Sequence, residues 1–200
     1  MAITQDPVSS AGSSGIVSPI KFAHVVLRTP HFRALVSWYK LVLNASPAFE
    51  NEDVAFIAYD DEHHRVAFIN VPGLEPYRTD TAGVHHIAFS HATLDALLTN
   101  YERLRERGIV PVWSVNHGPT TSLYYSDPDG NRVEFQVDNY DTVEEAGAFF
   151  FSDAFTANPI GVDFDPEELL RRLRAGEDSA ALKLRPTTSG SRDMSSVPLP

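Results

Sequence analysis

Apolar positions recur along this chain in two rhythms, and their order repeats once. Ile20-Lys-Phe-Ala-His-Val-Val-Leu27 is an apolar, β-branched run that predicts a strand over 20–28. Thr29-Pro30 then supplies an N-cap and a first-turn proline. Phe32, Leu35, Val36, Tyr39, Val42 and Leu43 follow at helical spacing, so 30–44 reads as an amphipathic helix. Strand-like runs follow at about 47–51, 54–59 and 64–71, with Asp60-Asp61-Glu62 as the turn before the last. After a loop over 72–82 the series restarts. A strand spans 85–90, and Thr93 caps a helix with Leu94, Leu97, Leu98, Tyr101 and Leu104 on one face. Gly108 ends that helix, and strands at 110–115, 122–125 and 131–137 complete the series. Ser126-Asp-Pro-Asp-Gly-Asn131 is a dense turn signal between the last two strands.

The repeat is legible residue by residue. Ala23-His-Val-Val-Leu27 matches His85-His-Ile-Ala-Phe89, placing His24 against His86. His64-Arg-Val-Ala-Phe68 matches Asn131-Arg-Val-Glu-Phe135, placing Ala67 against Glu134. The expected fold is therefore α+β: two tandem βαβββ modules, 19–72 and 83–138, in a domain over 19–140. Their strands are expected to form a curved mixed sheet around a metal site. A segment over 141–180 contains Ala148-Phe-Phe-Phe151, too apolar to leave in water, and a short helix opened by Asp165-Pro-Glu-Glu. It is expected to pack on the core or on a partner subunit. Residues 1–18 and 181–200 read as disordered.

Composition narrows the class. A hydrophobic content of 42% over 200 residues supports a genuine core. A net charge of −11 argues against nucleic acid or an anionic membrane as partner. Without cysteine there is no disulfide, thiolate nucleophile or Cys-type zinc site. No apolar run approaches the roughly 20 residues that span a bilayer, and Met1-Ala-Ile-Thr-Gln-Asp6 lacks the pattern of a secretory signal. The expectation is a soluble cytoplasmic protein.

A lone strand histidine is usually structural. Two at matching positions of a duplicated unit are different, because duplication brings equivalent strands together about a pseudo-twofold axis. Glu134 adds a carboxylate inside an apolar run, where burial without a partner would be costly. His24, His86 and Glu134 are thus candidate metal ligands. Two histidines and one carboxylate with open positions are typical of non-haem Fe(II) oxygenases, with Mn(II) and Zn(II) left open. Ala67, the counterpart of Glu134, cannot ligate, which leaves coordination positions for substrate and dioxygen. His31 and His91 read as surface residues, and His85 as pointing away from His86.

These motifs together resemble the vicinal oxygen chelate superfamily, which includes glyoxalases, fosfomycin-resistance proteins and extradiol dioxygenases. They resemble most the type I extradiol ring-cleaving dioxygenases. That resemblance implies Fe(II) held by His24, His86 and Glu134, a small catechol-like aromatic substrate, and O2. It also implies Tyr124 as a hydrogen-bond donor to the substrate, His117 as a stabiliser of developing charge, and His63 as acid/base. Strand alternation allows only one of His63 and His64, and one of Tyr124 and Tyr125, to face the site. The rival readings are a glyoxalase-like or fosfomycin-resistance-like lyase or transferase and a non-catalytic small-molecule-binding protein. A homodimer is compatible with the apolar extension.

Overall fold

The computed structural model describes residues 17–75, 77–78, 80–186 and 191–198. Module one runs β1 (Val25–Thr29), α1 (Phe32–Val42), β2 (Ser46–Glu50), β3 (Val54–Ala58) and β4 (Val66–Asn70). Module two runs β5 (His86–Ser90), α2 (Leu94–Arg105), β6 (Trp113–Asn116), β7 (Thr120–Ser126) and β8 (Arg132–Asp138). The chain continues as α3 (Val143–Phe149), α4 (Asp153–Ala157), β9 (Val162–Asp163), α5 (Pro166–Arg174) and α6 (Ser179–Lys183).

The strands form two mixed sheets, ordered β1-β4-β3-β2 and β5-β8-β7-β6-β9. The expected curved sheet is divided because β1 and β5 each end their sheet and do not pair with each other. The duplication extends to register: Val26 lies opposite Ala67 in the parallel β1–β4 pair, and Ala88 opposite Glu134 in β5–β8. Each module thus places its histidine two residues ahead of the strand position facing Ala67 or Glu134. Strand β1 starts later than expected, since its partner β4 begins only at Val66. The carbonyls of Phe22 and Ala23 instead accept from the Arg65 guanidinium at 2.7 and 3.1 Å.

One core serves both modules. Leu35, Val36, Tyr39 and Val42 of α1 join Leu94, Leu97, Leu98 and Leu104 of α2, together with the inward residues of β3, β4, β7 and β8. Polar contacts cross the junction. Tyr39 donates to Asp127 Oδ2 (3.2 Å), and Arg103 donates to the Val42 carbonyl (3.2 Å). Asp127 also ties the β7–β8 turn by accepting from the backbone N–H groups of Asp129 and Asn131 (2.9 and 2.8 Å).

The extension packs on module two, as its amphipathic pattern requires. Helix α5 docks on α2 through Leu169 and Leu170, with Glu167 accepting from Tyr101 (2.6 Å) and Arg105. The boundary of the expected disordered tail at 181 needs correction. Helix α6 spans 179–183, and a 3-10 turn covers Met194–Ser196. The α6 end is held by side-chain bonds, Asn116 donating to the Lys183 carbonyl and Lys183 to the Asp138 carbonyl, both at 2.9 Å. Residues 1–16, 187–190 and 199–200 of the expected disordered ends lie outside the described residues. The Phe-rich stretch is only partly covered. Phe149 packs inward, whereas Phe151 is 82% exposed.

Candidate metal and substrate site

Parallel pairing of β5 with β8 brings His86 to Glu134, Nε2 to Oε2, at 3.0 Å. Glu134 is 4% exposed. It lies opposite Tyr124 across the antiparallel β7–β8 pair, and Tyr124 lies opposite Trp113 across β6–β7. Ladder partners share a face, so Glu134, Tyr124 and Trp113 form a row across the second sheet. Trp113 stacks on Tyr124 at 4.8 Å, and the His86 ring stands edge-on to Tyr124 at 5.3 Å.

His117 closes the row from the β6–β7 turn. Its Nε2 lies 3.0 Å from the Tyr124 hydroxyl, and its Nδ1 meets the Ile160 carbonyl. A carbonyl only accepts, so Nδ1 carries a proton, and in the neutral ring Nε2 is left as an acceptor facing the Tyr124 hydroxyl. A cavity of about 450 Å³ opens here, lined by His85, His86, Trp113, His117, Tyr124 and Ile160 among others.

Electrostatics divide the roles. Burial pushes the Glu134 carboxyl up, but hydrogen bonds from His86 and Ser122 and the nearby imidazoles outweigh it, holding it below the ordinary carboxylate value. Burial, followed by the Glu134 charge, pushes the Tyr124 hydroxyl far up, so it stays a neutral donor. Burial pushes the His117 imidazole down, against the opposing bond to Ile160, which favours the neutral ring.

The expected residues are only partly assembled. His86, Glu134, Tyr124 and His117 meet in one place. His24 does not join them. It is exposed just ahead of β1, its ring 4.4 Å from that of His64. Among the described residues no group of three or more His, Cys, Asp or Glu side chains could hold a metal ion. His63, with a side chain 72% exposed beside Glu62, also lies outside the group. Of the two adjacent histidines, His64 is the one that packs against His24 and Phe56.

Two other histidine expectations change. His85 does not point away: its Nδ1 is 2.8 Å from that of His86, and it lines the same cavity. His91 is half-buried against Phe135 at 5.6 Å, because the chain passes from β5 into α2 over the core. His31 is exposed and paired with Asp129 at 2.7 Å.

Trp113, Ser122 and Ile160 escaped the sequence reading. Alternation along 110–115 could have placed Trp113 on the Tyr124 face. Asn158-Pro-Ile-Gly161 is a turn signal, but nothing in it shows that a carbonyl would meet His117.

A mixed-sheet fold duplicated in register, with a His–Glu pair beside a cavity, is that of a tandem βαβββ domain. Residues 21–135 match the model of the Glyoxalase/Bleomycin resistance protein/Dioxygenase superfamily, and the chain belongs to that superfamily. It is 48% identical over 157 residues to biphenyl-2,3-diol 1,2-dioxygenase 2 of Rhodococcus globerulus, covering 78% of this chain and 83% of the relative. It is 43% identical over 167 residues to biphenyl-2,3-diol 1,2-dioxygenase 3 of the same organism, covering 82% and 88%. A solved glyoxylase/bleomycin resistance protein/dioxygenase domain from Frankia sp. EAN1pec shares the fold at 17% identity and a TM-score of 0.51. That alignment covers 60% of this chain and 99% of the other.

Proposed function

We propose that this protein is an extradiol-type ring-cleaving dioxygenase acting with O2 on a small aromatic diol. The observation that carries this is the 48% identity, over most of both chains, to a relative named as a biphenyl-2,3-diol dioxygenase. The converging His86–Glu134 pair supports a metal centre, since a buried carboxylate beside an imidazole suits a divalent cation. Fe(II) is the proposed ion, and bound there it would supply the redox path between diol and dioxygen.

The chain's own residues do the rest. Tyr124 presents a neutral hydroxyl to an oxygen of the substrate, next to the Glu134 carboxylate. His117, neutral and with Nε2 turned inward, accepts a proton or a hydrogen bond. Trp113 and Ile160 give the cavity an apolar wall for an aromatic ring.

His24 completes the donor set in this reading by coming from a second copy. Among the described residues both β1 and β5 are sheet ends with nothing paired on their outer side, so β1 of one protomer can lie along β5 of its partner. Phe22 and Val26 beside His24 are exposed, as expected of an interface left open in the single chain. The acid/base role then stays with the His63–His64 pair that accompanies His24. Packing favours His64.

Two measurements test this. Metal analysis of anaerobically purified protein, followed by O2 uptake with a panel of aromatic diols, should find iron and diol-dependent consumption. Absence of bound metal would defeat the reading. Subunit mixing then tests the shared centre. His24→Ala and Glu134→Ala proteins, each inactive, should regain activity when co-assembled, because each mixed dimer holds one complete donor set. No recovery in verified mixed dimers would place His24 elsewhere.

A further inference from the structure

We infer that the segment after the tandem modules positions His117 through a clasp made by Asn158, Ile160 and Arg185. The inference deepens the proposed dioxygenase reading and rests on it for the catalytic consequence.

The Ile160 carbonyl that receives the His117 Nδ1 proton is itself fixed. Asn158, 1% exposed, accepts from the backbone N–H groups of Ile160 (3.1 Å) and Gly161 (2.8 Å), and its amide donates to the Gly161 carbonyl (3.0 Å). One side chain thus closes the turn at three points, leaving the Ile160 carbonyl a single direction. Gly161 is required there. Its φ is +124°, and a Cβ would collide with the Asn116 carbonyl and stand 2.9 Å from the His117 Cα. The turn therefore lies directly against the backbone of the residue it orients.

Arg185 spans the two pieces. One guanidinium nitrogen donates to the His117 carbonyl at 3.2 Å and the other to the Asn158 carbonyl at 2.7 Å. The planar fork suits two acceptors at a set separation. The guanidinium also covers the Phe149 ring at 5.5 Å, and Phe149 fills the space left by the missing side chain of Gly118. His117 is thus held at its ring by Ile160, at its carbonyl by Arg185, and on its C-terminal side by Phe149 over Gly118.

The chemistry follows from the distinctness of the two ring nitrogens. With the Nδ1 proton committed to Ile160, Nε2 faces Tyr124 and the cavity as an acceptor. Loss of the clasp frees the ring to place the proton on Nε2, which then turns a donor instead of an acceptor toward the Tyr124 hydroxyl and the cavity. Asn158, Ile160 and Arg185 are positioning residues. They act on substrate only through His117.

Nitrogen-edited NMR of the full-length protein, with Zn(II) in place of Fe(II) to keep signals sharp, reads the His117 tautomer directly. The expected result is an Nδ1-protonated ring in the wild type and in Asn158→Asp, which keeps the acceptor. Arg185→Ala and Asn158→Ala should show a mixture of tautomers. With an aromatic diol, the two alanine variants should lose about tenfold or more in kcat with little change in KM. An unchanged tautomer in both alanine variants at native melting temperature overturns the inference, as does full kcat with a scrambled tautomer. If Asn158→Ala does not fold, Arg185→Ala, altered at a half-buried side chain, decides alone. If no diol is turned over, the dioxygenase reading fails while the tautomer result still judges the clasp.

Discussion

At the residue scale the row Glu134–Tyr124–Trp113 shows how little freedom each group has. Tyr124 touches His117, His86 and Trp113 at once, so its hydroxyl is aimed by its neighbours. Tyr124→Phe keeps the ring and its stacking and removes only the donor. It should lower kcat by about a hundredfold or more; a loss below about threefold in steady-state kinetics would remove Tyr124 from the reaction. A second residue-scale prediction concerns His91, whose imidazole is pushed down by burial and then by Arg103. Folding there favours the neutral ring. Its contribution is therefore complete above the unfolded histidine value of about 6.5 and is lost as pH falls through that value. Melting temperature should drop more steeply between pH 7 and pH 5 in the wild type than in His91→Gln. Parallel curves would show that His91 titrates alike in both states.

Among elements, α2 has the clearest sequence signature and the most consequential position. Thr93 accepts from the Ala96 N–H as an N-cap should, and the five apolar residues expected on one face are all buried. Leu98→Ala, at a fully buried position of the shared core, should open a cavity costing about 2–5 kcal/mol, to be measured by urea denaturation. Thr93→Ala should cost about 1 kcal/mol. The elements that were legible share a cause. Their signals are local: a 3.6-residue rhythm, a cap, or the Asp127–Asn131 turn. The β9 strand was missed because two residues carry no rhythm, and its role comes from pairing with the distant β6. The exposure of Phe150 and Phe151 was likewise unreadable, since helix α3 ends where only Phe149 can turn inward.

The same distinction governs the candidate site. The equivalence of His24 with His86, and of Ala67 with Glu134, was readable because duplication preserves strand register. Where His24 and His86 stand relative to each other was not readable, because that depends on how the two sheets are placed, and no local pattern encodes it. The carbonyl of Ile160 was hidden for a simpler reason: every residue has one.

For the whole molecule, a single core crossing both modules predicts cooperative unfolding. The Tyr39–Asp127 and Arg103–Val42 bonds join the two, and the buried residues of α1 and α2 belong to one apolar cluster. Calorimetry should show one transition with equal calorimetric and van't Hoff enthalpies. Two separate peaks would mean that the modules melt independently and that the junction contributes little.

The bond between Arg185 and the His117 carbonyl joins residues 68 positions apart, with the later partner well beyond the duplicated modules. During synthesis the strands bearing His86, Tyr124 and Glu134 emerge first and can pair at once. The imidazole that faces them is oriented only once the Asn158–Gly161 turn, and then Arg185, have followed. A nascent chain therefore pairs the strands of the site before it orients the ring that faces them.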